Sequence, residues 1–341
     1  MQFRTRRDVI CIGSVSKDIF FPTDEGEIFE TPEDLTAQRK VAFELGGKYR
    51  VEDRYEAVGG VAANVALALA KLGVGAVPYC RIGGDEIGRW ILSEFRHAGV
   101  STERVFVDRS VESDLSAIIV LTQSGERTIF HNRDANEKLE IIPGKLRGAE
   151  WLFVSAQNGG WEEKIRLILE TAKSGKSKIA LNPGQHNLRE NPKLLIEAIA
   201  ETEILVLNKD EALELVMKSE IGSVAESLND EKFLLSALVS MGAKKIAMTD
   251  GDRGAWGTDG TGFWHCPIGH VEKVVDTTGA GDSFAAAFFA AVAFHGKTVE
   301  DGLRYGISES GSVVGSYGAS AGLLDIDELE RRSSELSVSA V

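Results

Sequence analysis

The sequence predicts an α/β protein with a mostly parallel central sheet, on three observations. From Trp151 onward, short β-prone apolar runs alternate with helical stretches, the rhythm that lays strands parallel and puts helices on both faces. Near the start, Val9-Ile10-Cys11-Ile12 is an apolar run ending at Gly13 and reads as a buried strand. The chain has 341 residues with 43% hydrophobic content, enough for one large α/β domain with an insertion or for two ordinary domains, and too apolar for disorder.

After the first strand comes a polar, irregular stretch, roughly 14 to 55, with Phe20-Phe21 and Val41-Ala42-Phe43 as short strands. It reads as an insertion, part of a sheet covering a site. The stretch 62–72 (AANVALALAKL) is a helix ended by Gly73. A strand at 76–82 and a helix at 87–98 follow, then a hairpin of 115–122 and 127–131 around Gln123-Ser124-Gly125-Glu126. The regular part places strands at 151–155, 178–181, 204–207 and 245–249, with helices at 162–173, 192–199, 210–216 and 231–241 between them. Two further helices are expected at 282–294 and 303–315. The reading is one domain over 1–330, with lid segments near 14–55 and 113–131 set into it and a C-terminal tail at 331–341.

Composition excludes several classes. A net charge of −14 repels nucleic acid, and the cations Arg4, Arg6 and Arg7 read as a solvated end. Cys11, Cys80 and Cys266 are an odd, scattered set without a C-x-x-C, which argues against a disulfide framework or structural zinc and for reducing cytosol. The N-terminus lacks a signal peptide's apolar core, and no apolar run reaches the ~20 residues of a membrane span.

The most informative segment is Asp276-Thr277-Thr278-Gly279-Ala280-Gly281-Asp282-Ser283, followed at once by FAAAFFAAVAF. Small residues leave backbone N–H groups uncovered where a helix begins, and those donors with the helix dipole make an anion site. A transferring phosphate fits that description. Asp282 lies in the first turn, where its carboxylate can take the proton of an attacking hydroxyl. The plain alternative is a glycine turn with an N-capping Asp. The preceding Asp-Thr-Thr weighs against it.

DTTGAGDSF resembles the signature of the ribokinase-like (PfkB) carbohydrate kinase family. The resemblance implies that Gly279, Ala280 and Gly281 cradle the phosphate and that Asp282 is the base. It also places Asp276 and Thr278 at positions that help bind a monovalent cation (K⁺) in several members. Gly59-Gly60-Val61-Ala62-Ala63-Asn64 is similar to the family's G-G-x-x-x-N signature, which puts Gly59, Gly60 and Asn64 on the sugar. Paired glycines allow close backbone approach to a polyol, and Asn64 offers donors and an acceptor. Asp18 matches a family Asp that accepts from sugar hydroxyls. Asn208-Lys209-Asp210-Glu211 resembles the N-x-x-E motif, which assigns Asn208 and Glu211 to Mg²⁺ and the phosphates. Thr249-Asp250-Gly251-Asp252-Arg253-Gly254 resembles the T-x-G-x-x-G turn near the nucleotide, with Thr249, Gly251 and Gly254 as its contacts. Gly125-Glu126-Arg127-Thr128 and Asn182-Pro183 match a family hairpin and a post-strand turn. Taken singly, these short motifs are ordinary turns and helix starts. Their order along the chain, from about Val9 to Gly322, is what no single one shows.

Competing motifs lack their context. Gly318-Ala319-Ser320-Ala321-Gly322 matches the hydrolase elbow but follows a helical pattern, and no histidine lies beyond His295. Ser14-Val15-Ser16-Lys17 has no K-T-G to accompany it. There is no Walker sequence, and no G-x-G-x-x-G follows the first strand.

The resemblance therefore implies a three-layer ribokinase-like fold with a small β lid, using ATP and Mg²⁺ on a hydroxyl of a small sugar such as ribose, fructose or 2-keto-3-deoxygluconate. It also implies a homodimer formed through the lid. A nucleoside kinase, or a non-catalytic binder on the same fold, is the alternative. Val61 stands where sugar-phosphate kinases of the family often carry lysine, which disfavours a phosphorylated acceptor. Arg133 is the candidate partner for an acid sugar's carboxylate, its plain reading being a solvated arginine at the lid edge.

Overall fold

The computed structural model describes residues 9–31, 39–51, 53–219, 221 and 228–341. Arg4, Arg6 and Arg7 lie outside them. In chain order the first half carries β1 (Val9–Ile12), β2 (Ser16–Thr23), β3 (Glu27–Glu30), β4 (Arg39–Ala42), β5 (Tyr55–Gly59), α1 (Val61–Lys71), β6 (Ala76–Gly83), α2 (Glu86–His97), β7 (Val105–Asp108), β8 (Leu115–Leu121), β9 (Arg127–His131), α3 (Asp134–Glu137) and α4 (Pro143–Leu146). Then follow β10 (Trp151–Ser155), α5 (Trp161–Gly175), β11 (Lys178–Asn182), α6 (Gln185–Glu190), α7 (Pro192–Ala200), β12 (Ile204–Asn208), α8 (Lys209–Lys218), α9 (Glu231–Ser240) and β13 (Lys245–Thr249). The chain ends with β14 (Ala255–Thr258), β15 (Phe263–Cys266), α10 (Ala280–Ala293), α11 (Val299–Val313), α12 (Ile326–Ser333) and β16 (Ser339–Ala340).

Ten strands form the main sheet in the order β16-β15-β14-β13-β12-β11-β10-β1-β6-β7. Pairings from β7 to β13 are parallel, and the β13–β16 edge is antiparallel. The strand period of two decides which side chain serves which face. Val9 and Cys11 of β1, with Trp151 and Phe153 of β10, join the core under α1, α10 and α11. Ile10, Ile12, Leu152 and Val154 point the other way, into the core under α5, α7, α8 and α9. Both faces are covered, so the parallel strands read as unbroken apolar runs. Helix ends follow local chemistry: Asp85 caps α2 by accepting from Gly88 N at 2.8 Å, and Asn191 caps α7 with Pro192 at its first position.

The expected lid is a second sheet of four strands, β5-β2-β8-β9. In it β2 runs parallel to β8 and antiparallel to β5, and β8–β9 is the predicted hairpin. The stretch after β1 is more regular than the sequence suggested. Ser16–Thr23 is a continuous eight-residue strand, and β3–β4 forms a separate two-stranded arm. Residues beyond 331 continue α12 and then pair as the edge strand β16 on β15, rather than trailing as a tail. Gly318 to Gly322 lies in turns after α11, not on a strand entering a helix. Among the described residues no helix is long and apolar enough to cross a membrane.

Candidate active site

The glycine turn sits where the sequence places it, at the head of α10. Gly279 has φ 76°, and a Cβ there would lie 2.1 Å from Cβ of Ala319, so both backbone and space demand glycine. Gly281 is different: a Cβ there would meet nothing within 4 Å, so its side is open. Asp276 anchors the turn. It is fully buried, and its Oδ1 accepts from Thr278 N at 3.0 Å and Thr278 Oγ1 at 2.7 Å, while Oδ2 accepts from Gly318 N at 3.1 Å. The residues expected to hold a monovalent cation, Asp276 and Thr278, are thus brought together, bonded to each other. The carboxylate also ties the turn to the loop bearing Tyr317.

Asp282, half-buried in the first turn of α10, meets the other signature. Asn64 Nδ2 donates to Asp282 Oδ2 at 2.7 Å, which joins two motifs 218 residues apart. Asn64 itself is buried, and its Oδ1 has no partner. Burial pushes the Asp282 carboxyl up from its ordinary value. The Asn64 bond opposes this, the Asp18 charge adds to it, and Arg127 lowers it.

Asp18 comes to the same place on β2. It is buried, and Ser16 Oγ donates to its Oδ1 at 2.7 Å. Burial raises its pKa, and hydrogen bonds from Ser16 and Ser116 work against that. Gly59, opposite Ser16 in the β2–β5 register, lies over the carboxylate: a Cβ there would be 2.0 Å from Asp18 Oδ2. Gly60 caps the N-terminus of α1, and Val61 N donates to Ser14 Oγ at 3.1 Å. Gly59, Gly60, Asn64, Asp18 and Asp282 therefore converge.

The nucleotide candidates lie at the carboxyl ends of neighbouring strands, where parallel α/β sheets bind ligands. Asn208 closes β12 and pairs in register with Thr249 at the end of β13. Asn208 and Glu211 form a capping box on α8: Glu211 N donates to Asn208 Oδ1 at 2.8 Å, and Asn208 N donates to Glu211 Oε2 at 3.1 Å. Burial lifts the Glu211 carboxyl to about 7. Gly251 opens a single 3₁₀ turn, Gly251–Arg253, closed by Asp250 N donating to Gly254 O at 2.9 Å. Among the described residues no three His, Cys, Asp or Glu side chains converge to hold a metal. The donor set fits Mg²⁺ as an ion that takes most of its oxygens from phosphates and water.

Arg133 stands at the head of α3, exposed, with Nη1 donating to Asn158 Oδ1 at 2.9 Å. Sequence reasoning missed Ser16, Ser116, His131 and Tyr317. Ser116 pairs across the hairpin with His131 and along β2 with Asp18, so strand register gathers them. Hairpin register was the one signal pointing to Ser116 and His131. Tyr317 stacks on Tyr55 with ring centroids 4.5 Å apart, and no local pattern marks it.

A doubly covered parallel sheet, an open glycine turn heading a buried helix, and a small β lid over a carboxylate and an amide define a small-molecule kinase. The family model described as pfkB family carbohydrate kinase matches residues 6–326. The 5-dehydro-2-deoxygluconokinase of Bacillus subtilis is 26% identical over 286 residues, covering 80% of this chain and 86% of that protein. The ribokinase of the same organism is 30% identical over 277 residues, with coverage of 80% and 86%. Among solved structures, Arabidopsis thaliana ribokinase complexed with ribose and ATP superposes with a TM-score of 0.75 at 20% identity, covering 96% of this chain and 98% of that one. The chain belongs to the pfkB family of carbohydrate kinases, and it is an ATP-dependent carbohydrate kinase of ribokinase-like fold.

Proposed function

We propose that the chain transfers the γ-phosphoryl group of ATP to a primary hydroxyl of a small sugar, with Asp282 as general base and the amides of 279–281 as the anion hole. The supporting observation is the 2.7 Å bond from Asn64 to Asp282, which puts the acceptor signature and the phosphate signature on one spot. The acceptor oxygen attacks phosphorus as its proton passes to Asp282, and the β–γ bridging oxygen departs with the bonding electrons. Burial raises the pKa of Asp282, which makes its carboxylate a stronger proton acceptor than an exposed aspartate. Asp18, Asn64 and the backbone at Gly59 and Gly60 orient the sugar. Thr249, Gly251 and Gly254 border the nucleotide, and Asn208 and Glu211 are the residues that would hold Mg²⁺. That ion would supply charge neutralisation on the phosphates when bound. Asp276 and Thr278 are assigned to a monovalent cation beside the turn.

The acceptor class stays with neutral sugars and sugar acids, and nucleosides are the second reading. The relative that acts on 5-dehydro-2-deoxygluconate makes a sugar acid a natural member of the trial set, with exposed Arg133 as its carboxylate partner. Exposed Phe130 on the lid sheet and exposed Phe29 on the β3–β4 arm support a homodimer through the lid. The deciding assay is ADP release with Mg²⁺, with and without K⁺, from ribose, fructose, 2-keto-3-deoxygluconate, 5-dehydro-2-deoxygluconate and adenosine. One of the sugars should raise ADP release far above the sugar-free rate. Stimulation by none of them would overturn the reading, and stimulation by adenosine alone would move it to nucleosides.

A further inference from the structure

The two candidate nucleotide motifs carry charges at their variable positions, and the fold gathers those charges. Lys209 stands inside Asn208-Lys209-Asp210-Glu211, and Asp250 and Arg253 stand inside Thr249-Asp250-Gly251-Asp252-Arg253-Gly254. Glu231, the first residue of α9, joins them from a third element. Lys209 Nζ is 2.7 Å from Glu231 Oε1 and 3.4 Å from Asp250 Oδ2. Arg253 Nη1 is 3.1 Å from the same Glu231 oxygen, and its Nη2 pairs with the same Asp250 oxygen. Two cations and two carboxylates thus close a ring of alternating charge. The side chains of Lys209 and Glu231 are only 12% and 18% exposed, so water and salt screen this ring less than a surface pair. Burial works to raise the Glu231 carboxyl, but its hydrogen bond from Lys209 and the nearby charges outweigh that and hold it below the ordinary glutamate value. Arg253 is held again by its backbone, whose oxygen lies 2.8 Å from His265 Nε2. The turn inside the ring has an open side. A Cβ at Gly254 would lie 2.2 Å from Cys266 O, whereas one at Gly251 would meet nothing within 4 Å.

We propose, resting on the nucleotide assignment above, that Lys209 and Glu231 are positioning residues for ATP. Through Asp250 and Arg253 they set where the turn presents Gly251 relative to Asn208 and Glu211. Asn208 and Thr249 pair in register at the ends of β12 and β13, and the ring spans the gap just beyond them. Neither Lys209 nor Glu231 touches the reacting atoms. The ring sums to zero charge, so its cations are engaged with the turn and not with the phosphates. Removing one member of such a ring costs more than the pair itself contributes, because a half-buried charge is left facing its like. Without Lys209, Glu231 and Asp250 repel, and the turn moves away from α8. The effect is selective. Nucleotide binding depends on the ring, while the acceptor is held elsewhere, by Asp18, Asn64 and the Gly59–Gly60 backbone.

The test titrates ADP with Mg²⁺ calorimetrically and measures the KM of ATP and of the best acceptor in the sugar panel. Lys209→Met should weaken ADP binding about tenfold and raise the ATP KM to match, with the acceptor KM within about twofold of wild type. Glu231→Gln should do the same. The double variant separates a ring from two independent contacts: it should bind ADP about as well as either single variant, because the second removal breaks a contact already lost. Asp250→Asn keeps the shape of the turn and should weaken ADP about threefold, and it carries the test if Lys209→Met does not fold. ADP affinity unchanged in Lys209→Met or in Asp250→Asn overturns the proposal. So do losses that multiply in the double variant, or an acceptor KM that rises in step with that of ATP. A wild type that binds no ADP and turns over no sugar instead sinks the kinase reading itself.

Discussion

The two halves of the site are built from different materials. The phosphate side is backbone: a turn held by buried Asp276 at the head of α10, a helix whose Phe284, Phe288 and Phe289 are buried to within 1%. The acceptor side is side chains on a thin sheet whose own core is Phe20, Ile118 and Val120, joined by Ala57 and Tyr317. Every residue of β9 is exposed. Local opening costs free energy in proportion to the contacts broken, so the lid can move on a scale the turn cannot. On the proposed reading, the geometry that every phosphoryl transfer needs sits in the rigid half, and the part that must admit and fit an acceptor sits in the loose half. Contacts that couple them include Asn64 on Asp282, Tyr55 on Tyr317 and Arg127 on Thr277.

The contrast is tested most severely at Asp282. Asp282→Asn keeps the shape and removes the base, so kcat should fall by about 10³-fold or more while ADP affinity stays within about twofold. Turnover above a tenth of wild type would refute the base. The turn itself allows a sharper comparison. Gly279→Ala meets both the left-handed backbone penalty and a clash with Ala319, together about 2–4 kcal/mol. It should show as a lowered melting temperature. Gly281→Ala points into open space, so its melting temperature should hold while its rate drops from a methyl group standing in the anion site. Equal losses of stability in the two variants would mean that the turn is merely structural. On the lid side, Tyr317→Ala removes the stack on Tyr55 and should raise the acceptor KM several-fold with little change in ADP binding. An ADP affinity lost in step with the acceptor's would show the halves to be one unit.

The same division explains what was legible in the sequence. Strands β10 to β13 announce themselves because burial on both faces makes them apolar throughout, and the α10 turn does so because Asp-Thr-Thr stands directly before its small residues and the helix-head Asp. The lid strand β2 was obscure for a physical reason. Of its four buried positions, Ser16, Asp18 and Phe20 alternate correctly and Thr23 closes the strand, but Ser16 and Asp18 are polar because they face the site. Function had replaced the hydrophobic signal. Strands β14 to β16 are short and form the antiparallel edge, where three of the four residues of β15 are partly exposed and little apolar pattern survives. Asn208 and Glu211 were visible as a motif, yet their capping box carries a local structural role that accounts for the same spacing.

The smallest effect on turnover should come from within the rigid half, at Glu309 on α11, the helix packed against α10. Its side chain is fully buried; Oε1 accepts from Leu324 N at 3.3 Å and Oε2 has no partner. Burial lifts this carboxyl to about 8, with the Leu324 hydrogen bond opposing. The folded chain therefore holds a proton that the unfolded chain releases above about 4.5, the ordinary glutamate value. The stability tied to it is complete below that value and is lost as pH rises through about 8, with a slope of about 1.4 kcal/mol per pH unit in between. Glu309→Gln keeps the shape and removes the titration. Its melting temperature should gain on wild type steadily from pH 5 to pH 8, with acceptor KM and kcat at neutral pH unchanged. Parallel melting curves across that range would show that Glu309 is ionised in the fold, and a shifted acceptor KM would show that the core beneath α10 is not insulated from the lid.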